Sequence, residues 1–186
     1  MQGCEAMRKR GETVTMTKKT LSLLVDNTPG LLSRVAGLFT RRAFNIESIT
    51  AGTTDDEKLT RMTIVAQAES EAEMQQVVKQ LAKLENVIQI RELTPETSVI
   101  RELVLVRAKA SEEERAGVIS MADVFRAKVV DISGDDITFE LTGHTSKIEA
   151  FMKLLGKERI RKVARTGAIG LNRGMLEENA AELYNR

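Results

Sequence analysis

The sequence predicts an α+β fold made of two tandem βαββαβ units, each with the ferredoxin-like split βαβ arrangement. Three observations support this prediction. The order strand, helix, strand, strand, helix, strand occurs twice along the chain. The two copies meet near the middle, at the segment Thr94-Pro-Glu-Thr-Ser98, which holds one of only two prolines. The 186 residues, 42% of them apolar, are also enough to bury two small cores.

In the first unit, runs of apolar residues predict strands, and apolar residues that recur every three or four positions predict helices. The second helix starts with a capping box, Ser70 to Glu73, and Asp55-Asp-Glu-Lys58 predicts a hairpin turn between the two middle strands. The predicted elements are strand 20–26, helix 29–42, strands 47–54 and 59–67, helix 70–84 and strand 87–93.

The second unit repeats this order, with Gly134-Asp-Asp136 as its hairpin turn. Its predicted elements are strand 99–108, helix 111–126, strands 128–133 and 137–142, helix 145–155 and strand 160–166. Residues 1–16 are polar and basic without apolar periodicity, and we interpret them as a flexible extension. The predicted domains are therefore 17–94 and 99–174, joined by a linker at 95–98 and followed by a tail at 175–186.

Composition and charge narrow the range of functions. The chain has 28 basic and 27 acidic residues, a net charge of +1, which gives no general attraction to nucleic acid or to anionic membranes. It has no apolar run long enough to span a membrane and no secretory signal, so we expect it in the cytoplasm. A single Cys and a single His make a metal site unexpected.

The segment Asn27-Thr-Pro-Gly-Leu31, between the first strand and the first helix, is the candidate ligand site. Pro29 suits the first helical position because it lacks an N–H group, Thr28 suits the N-cap, and Gly30 leaves the helix start open. The first N–H groups of a helix lack intrahelical partners and lie at the positive end of its dipole, so a ligand carboxylate fits there. The alternative is a helix start that binds no ligand.

Four motifs resemble the small regulatory subunits of acetolactate synthase, also called acetohydroxyacid synthase, whose N-terminal domain is an ACT domain. The first three are Asn27-Thr-Pro-Gly-Leu-Leu-Ser-Arg-Val-Ala-Gly-Leu-Phe39, Arg42-Ala-Phe-Asn-Ile-Glu-Ser-Ile49 and Arg61-Met-Thr-Ile64. The fourth, Val163-Ala-Arg-Thr-Gly-Ala-Ile-Gly-Leu-Asn-Arg-Gly174, is similar to the C-terminal signature of these subunits. The resemblance covers about residues 17–174.

This resemblance implies a non-catalytic subunit that activates a thiamine-diphosphate-dependent catalytic subunit. It also implies feedback inhibition by valine in the biosynthesis of the branched-chain amino acids valine, isoleucine and leucine. The implied partners are a second copy in a homodimer, the catalytic subunit, and L-valine as effector, with no nucleic acid and no membrane. No cofactor is expected in this chain, whereas thiamine diphosphate, Mg and FAD are expected on the catalytic subunit.

The resemblance also implies a valine site between two ACT domains. Six residues form it: Asn27, Pro29, Gly30 and Leu31 of one chain, with Asn45 and Ile46 of its neighbour. The chemistry of these residues fits valine, because backbone N–H groups of Gly30 and Leu31 suit its carboxylate and the side chain of Asn27 suits both its charged groups. For Asn45, a role as a turn residue is an equal alternative.

Other classes of function fit the sequence less well. RNA-recognition modules share the βαββαβ order but stack bases on aromatic residues of the central strands. This chain has five Phe, one Tyr and no Trp, and most of the Phe residues lie outside predicted strands. A stand-alone enzyme would need a nucleophile with a base, a metal set or a carboxylate pair, and the sequence offers none in context. The remaining alternative is an ACT-domain sensor that serves a different enzyme or a regulator.

Overall fold

The computed structural model describes residues 7–9, 12–14, 17–41, 44–174 and 182–185. This part of the chain contains twelve strands and four helices. The described residues form two compact units, one within residues 1–99 and 170–186 and one within residues 100–169. Each unit has the predicted βαββαβ order, which confirms the α+β fold class.

A short antiparallel hairpin precedes the βαββαβ elements of the first unit. It consists of β1 (Met7–Lys9) and β2 (Glu12–Val14), and Met7 pairs with Val14. The predicted flexible extension therefore contains two short strands that the sequence did not predict. The signal was absent from the sequence because backbone pairing in so short a hairpin does not need an apolar pattern. Residues 1–6, 10–11 and 15–16 lie outside the described residues.

The first unit is an antiparallel sheet with two helices. Its strand order is β6–β3–β5–β4, and the paired strands run antiparallel. Strand β3 starts at Thr17 instead of at the predicted residue 20, because its first residues, which are polar, pair through the backbone with the end of β5. The elements are β3 (Thr17–Asp26), α1 (Leu31–Arg41), β4 (Asn45–Thr53), β5 (Leu59–Ala68), α2 (Glu71–Leu81) and β6 (Val87–Glu92).

One face of this sheet forms the first core. Alternate residues of β3, namely Leu21, Leu23 and Val25, are fully buried on that face. Both helices pack on it through residues spaced three and four apart. These are Leu31, Val35, Leu38 and Phe39 of α1, and Met74, Val77 and Leu81 of α2. The two helices therefore cover the same face of the sheet, as the predicted arrangement requires.

The start of α2 differs in one detail from the predicted capping box. The Ser70 hydroxyl accepts a hydrogen bond from the N–H of Glu73 at 3.2 Å, as predicted. The Glu73 carboxylate, however, accepts from the N–H of Glu69 at 2.9 Å, one residue before the cap. The carboxylate still pairs an amide near the helix start, so the motif keeps its stabilising role.

The second unit repeats the arrangement. Its sheet has the order β10–β7–β9–β8. Phe139 of the sheet and Phe151 of the second helix meet edge to face in the core, with ring centroids 5.8 Å apart. The elements are β7 (Ser98–Lys109), α3 (Glu112–Val124), β8 (Lys128–Ser133), β9 (Asp136–Gly143), α4 (Thr145–Leu155) and β10 (Ile160–Arg165). A short strand, β11 (Ile169–Asn172), follows and belongs, apart from Ile169, to the first unit.

The last described strand, β12 (Glu182–Asn185), extends the sheet of the first unit. It pairs antiparallel with β6, and Tyr184 packs against the first core. The sequence predicted only a tail here, because a pairing partner about ninety residues away leaves no local pattern. As a result, the β6 edge of this sheet is covered, whereas β4 lies at the opposite edge with no neighbour among the described strands.

Arg165, a residue of the 163–174 motif, forms an ion pair with Glu102. Glu102 on β7 is buried, with 6% of its surface exposed, and its carboxylate accepts two hydrogen bonds from Arg165. The Nε atom of Arg165 lies 2.6 Å from Oε1 and its Nη2 atom 2.9 Å from Oε2. The hydroxyl of Thr145, at the start of α4, donates to the same carboxylate at 3.3 Å. The pair therefore ties β7 to β10 and to α4.

We predict that Glu102→Ala lowers the free energy of unfolding by about 2 kcal/mol, because it removes charge-assisted hydrogen bonds from a partly exposed arginine. Urea denaturation measures this change. Glu149→Ala, at an exposed position on α4, is the control and should stay within about 0.5 kcal/mol of the wild type. Equal stabilities of the two variants would show that the Glu102–Arg165 pair is not needed for the fold.

Candidate functional site

The turn at residues 27–30 joins β3 to α1 and is held by backbone hydrogen bonds on both sides. The N–H of Asp26 donates to the carbonyl of Asn86 at 2.9 Å, and the N–H of Asn27 donates to the carbonyl of Lys58 at 2.7 Å. Inside the turn, the N–H of Thr28 donates to the carbonyl of Asp26 at 2.9 Å. The backbone of the 27–30 turn is therefore fixed by two loops that are distant in sequence.

Gly30 is the last residue before α1 and has a left-handed backbone, with φ of +80°. Its carbonyl accepts from the N–H of Arg34 at 3.1 Å, and the helix begins at Leu31. The predictions that Pro29 is the first helical residue and that Thr28 is the N-cap are therefore wrong. The reason is that a right-handed helix cannot pass through a residue with this φ, which glycine adopts most easily.

Unpaired amides remain at the start of α1. Among the residues that the structure describes, the N–H groups of Gly30, Leu32 and Ser33 have no hydrogen-bond partner. The N–H of Leu31 donates to the carbonyl of Thr28 at 3.3 Å, so this amide is partly used inside the turn. Gly30, Leu32 and Ser33 are exposed, and a Cβ added at Gly30 would meet no atom within 4 Å. The arrangement suits a small anion such as a carboxylate.

The side chains of Asn27 and Leu31 have different surroundings. Asn27 is exposed, and its Nδ2 donates to the carbonyl of Glu57 at 3.0 Å, which leaves Oδ1 available as an acceptor. Leu31 is 7% exposed and belongs to the first core. Asn27 can therefore reach a ligand through its side chain, whereas the side chain of Leu31 serves packing.

Asn45 and Ile46 begin β4. The Nδ2 of Asn45 donates to Oε1 of Gln67 at 3.3 Å, and Nε2 of Gln67 donates to Glu47 at 2.8 Å. This row of hydrogen bonds leaves Oδ1 of Asn45 as an acceptor at an exposed position. Ile46 is half-buried and packs against the first core. The two residues thus offer a polar acceptor beside an apolar side chain.

A single chain does not bring the two halves of the predicted site together. Asn45 pairs with Gln67, and Gln67 pairs with Lys18 near the start of β3. The 27–30 turn follows Asp26, eight residues further along the same strand. At about 3.4 Å per residue, the two halves lie about 27 Å apart, at opposite ends of the sheet.

The structure adds Arg34 and Asn86, which sequence reasoning missed. Nη1 of Arg34 donates to Oδ1 of Asn86 at 2.7 Å, and Nδ2 of Asn86 donates to the hydroxyl of Thr28 at 3.1 Å. Asn86 lies in the loop between α2 and β6, far from the turn in sequence. Only the strand order, which places β6 next to β3, brings this loop to the turn.

Ion pairs away from the turn shift three pKa values. Burial of Lys19 opposes its charge, but hydrogen bonds and charges from Glu71 and Glu92 outweigh burial and raise the pKa of Lys19. A hydrogen bond from Arg159 lowers the pKa of the Glu114 carboxyl, and Glu114 in turn raises the pKa of Arg159. These groups are paired with opposite charges, an arrangement typical of structural contacts.

No group of three or more His, Cys, Asp or Glu side chains among the described residues could hold a metal ion. No described helix is both long and apolar enough to cross a membrane.

Comparison with known proteins assigns both units to one family. Residues 21–89 match the family described as an AHAS small subunit-like ACT domain, and residues 101–174 match the family described as the small subunit of acetolactate synthase. A probable acetolactate synthase small subunit from Archaeoglobus fulgidus is 46% identical over 157 residues, which is 84% of this chain and 98% of the relative. The chain belongs to the acetolactate synthase small subunit family.

Other members of the acetolactate synthase small subunit family agree with this assignment. The acetolactate synthase small subunit of Mycobacterium leprae is 45% identical over 161 residues, covering 87% of this chain and 95% of the relative. The crystal structure of the small subunit from Thermotoga maritima superposes with a TM-score of 0.76 at 35% identity, covering 84% of this chain and 98% of that chain. The six residues of the predicted site all fall within the ACT-domain match.

We predict opposite effects when a methyl group is added at two glycines of the same region. Gly30→Ala should lower the free energy of unfolding by about 1 to 2 kcal/mol, because φ of +80° is strained for alanine. Gly37→Ala, inside α1, should raise it by about 0.5 to 1 kcal/mol. The added Cβ at Gly37 would meet only Nη1 of Arg41, at 4.0 Å.

Urea denaturation of the two alanine variants measures both changes. A loss of stability with Gly37→Ala would show that another chain packs against α1 at this position. An unchanged stability with Gly30→Ala would show that the turn relaxes and does not need the left-handed conformation.

Proposed function

We propose that this small subunit is the non-catalytic regulatory subunit of an acetolactate synthase. In this proposal it binds the thiamine-diphosphate-dependent catalytic subunit, raises its activity, and makes it sensitive to inhibition by valine in branched-chain amino acid biosynthesis. Thiamine diphosphate, Mg and FAD belong to the catalytic subunit. The observation that carries the proposal is the 27–30 turn, with its unpaired amides, inside the ACT domain of a chain of this family.

The chemistry of the turn supports an α-amino acid as the effector. The N–H groups of Gly30, Leu32 and Ser33 suit a carboxylate at the positive end of the helix dipole. An ammonium group needs oxygen acceptors, and the Oδ1 atoms of Asn27 and Asn45 are of this kind. An aliphatic side chain such as that of valine needs an apolar wall, which Ile46 can offer.

The free strand edge supports a homodimer. β12 covers the β6 edge of the first sheet, so among the described strands β4 is the edge left for pairing. We propose that two copies pair antiparallel through β4 about a two-fold axis. Each valine site then takes residues from both copies. One copy supplies Asn27, Pro29, Gly30 and Leu31, and the other supplies Asn45 and Ile46.

The strand register supports this pairing because it predicts a complete site. Thr53, at the end of β4, is level with Val25 through their common partner Thr60, and so lies at the same end of the sheet as the 27–30 turn. Antiparallel pairing places Asn45 of the second copy beside Thr53 of the first. The two halves that lie about 27 Å apart in one chain thus come to one end of the combined sheet.

In this arrangement valine acts by changing how the two ACT domains pack. Valine binds best to the arrangement in which both halves of the site close on it, and the catalytic subunit responds to that arrangement. By linkage, the catalytic subunit must change the affinity for valine by the same factor by which valine changes the affinity for the catalytic subunit.

We predict that Asn27→Ala removes valine sensitivity without removing activation. In a reconstituted enzyme, the valine concentration for half-maximal inhibition should rise at least about tenfold, because a hydrogen bond to a charged ligand is lost. The activation of the catalytic subunit without valine should remain within about twofold. Asp55→Ala, at an exposed position of the neighbouring turn, is the matched control and should leave both values unchanged. Loss of activation with retained valine inhibition would place the effector site elsewhere.

We further predict that two variants that each bind L-valine weakly restore binding when they are combined in one dimer. Asn27→Ala and Asn45→Ala homodimers should both bind L-valine weakly. A mixed dimer has one site with both substitutions and one site with neither, so it should regain about half of the wild-type binding capacity. Calorimetric titration of co-expressed, differently tagged chains measures this capacity. A mixed dimer that binds as weakly as either homodimer would show that one chain supplies both asparagines of a site.

A further inference from the structure

The loop residue Asn86 holds the 27–30 turn through both its backbone and its side chain. Its carbonyl accepts from the N–H of Asp26 at 2.9 Å, at the start of the turn. Its Nδ2 donates to the hydroxyl oxygen of Thr28 at 3.1 Å, and its Oδ1 accepts from Nη1 of Arg34 at 2.7 Å. Asn86 is half-buried, whereas Thr28 and Arg34 are exposed. One side chain thus connects the turn to the first turn of α1.

The chemistry of arginine fixes the direction of these hydrogen bonds. A guanidinium group can only donate, so the atom of Asn86 that faces Arg34 must be the acceptor, Oδ1. The amide nitrogen of Asn86 then faces Thr28 and donates to Oγ1. Because Oγ1 accepts this bond, the hydroxyl proton of Thr28 is left to donate in another direction. Among the described residues, the Thr28 hydroxyl donates to no other group.

We propose that Thr28 donates its hydroxyl proton to the carboxylate of the bound amino acid, and that Asn86 and Arg34 are the positioning residues that direct this hydroxyl. The inference rests on the proposed function and deepens it. It adds a side-chain donor to the backbone donors, in the same turn as the unpaired N–H of Gly30. The Arg34–Asn86–Thr28 chain acts through Thr28, so neither Arg34 nor Asn86 needs to touch the effector.

The test compares variants of Thr28 in the full chain, reconstituted with the catalytic subunit and titrated with L-valine. Thr28→Val keeps the shape of the side chain and removes the hydroxyl, and Thr28→Ser keeps the hydroxyl. Thr40→Val is the matched control, because Thr40 is an exposed threonine of α1 whose hydroxyl donates to the carbonyl of Ala36 at 3.0 Å. Asn86→Ala tests the positioning role.

We expect Thr28→Val to raise the L-valine concentration for half-maximal inhibition about tenfold or more, the effect of losing a hydrogen bond to a charged group. Thr28→Ser and Thr40→Val should remain within about twofold of the wild type. Asn86→Ala should raise this concentration as Thr28→Val does. The double variant Thr28→Val/Asn86→Ala should need no more L-valine for half-maximal inhibition than the more affected single variant, because both residues act through one hydroxyl. Activation without L-valine should be unchanged in the control Thr40→Val.

The outcomes separate this inference from the proposed function. A wild-type enzyme that responds to L-valine, together with a Thr28→Val variant within about twofold of it, overturns the role of the hydroxyl and leaves the proposed function standing. A wild-type enzyme that is activated but does not respond to L-valine overturns both. A weak response in Thr28→Ser as well as in Thr28→Val overturns the inference, since the hydroxyl alone would not restore binding.

Discussion

The pairing of β3 with β5 is the constraint on which the rest of the first unit depends. It runs without a bulge over ten residue pairs, from Thr17 with Ala68 to Asp26 with Leu59. Because side chains alternate along a strand, this register turns Leu21, Leu23 and Val25 together toward the helices. It also fixes the ends of the sheet, with the 27–30 turn at one end and Asn45 at the other.

Because the 27–30 turn and Asn45 lie at opposite ends of the sheet, the proposed binding of an effector depends on the pairing of two chains. In the proposed dimer, the two halves of the site meet because a second copy reverses the direction of the strand that carries Asn45. In the described sheet, β12 covers the β6 edge and the β4 edge is free, so a second copy can extend the sheet only at β4. In the proposed dimer, effector binding and subunit packing are therefore one equilibrium, and a small effector can change a large surface that the catalytic subunit recognises.

The sequence predicted the parts of the structure that depend on local pattern. The bounds of α4 and β8 agree with the predicted 145–155 and 128–133, and the loop between β3 and α1 was found from its composition. Features that depend on distant partners were missed. Helix α1 begins two residues later than predicted because Gly30 is left-handed. Asn86 reaches the turn only because the strand order brings its loop there, and β12 pairs with a strand about ninety residues away.

Calorimetric titration of the isolated chain with L-valine and D-valine, with molar mass followed by light scattering, tests whether two copies of the chain share an amino-acid site. We expect a dimer that binds one or two L-valine molecules and no D-valine, with binding lost on dilution to the monomer. A folded dimer that binds no L-valine, or a monomer that binds it as tightly as the dimer, would contradict a site shared by two copies.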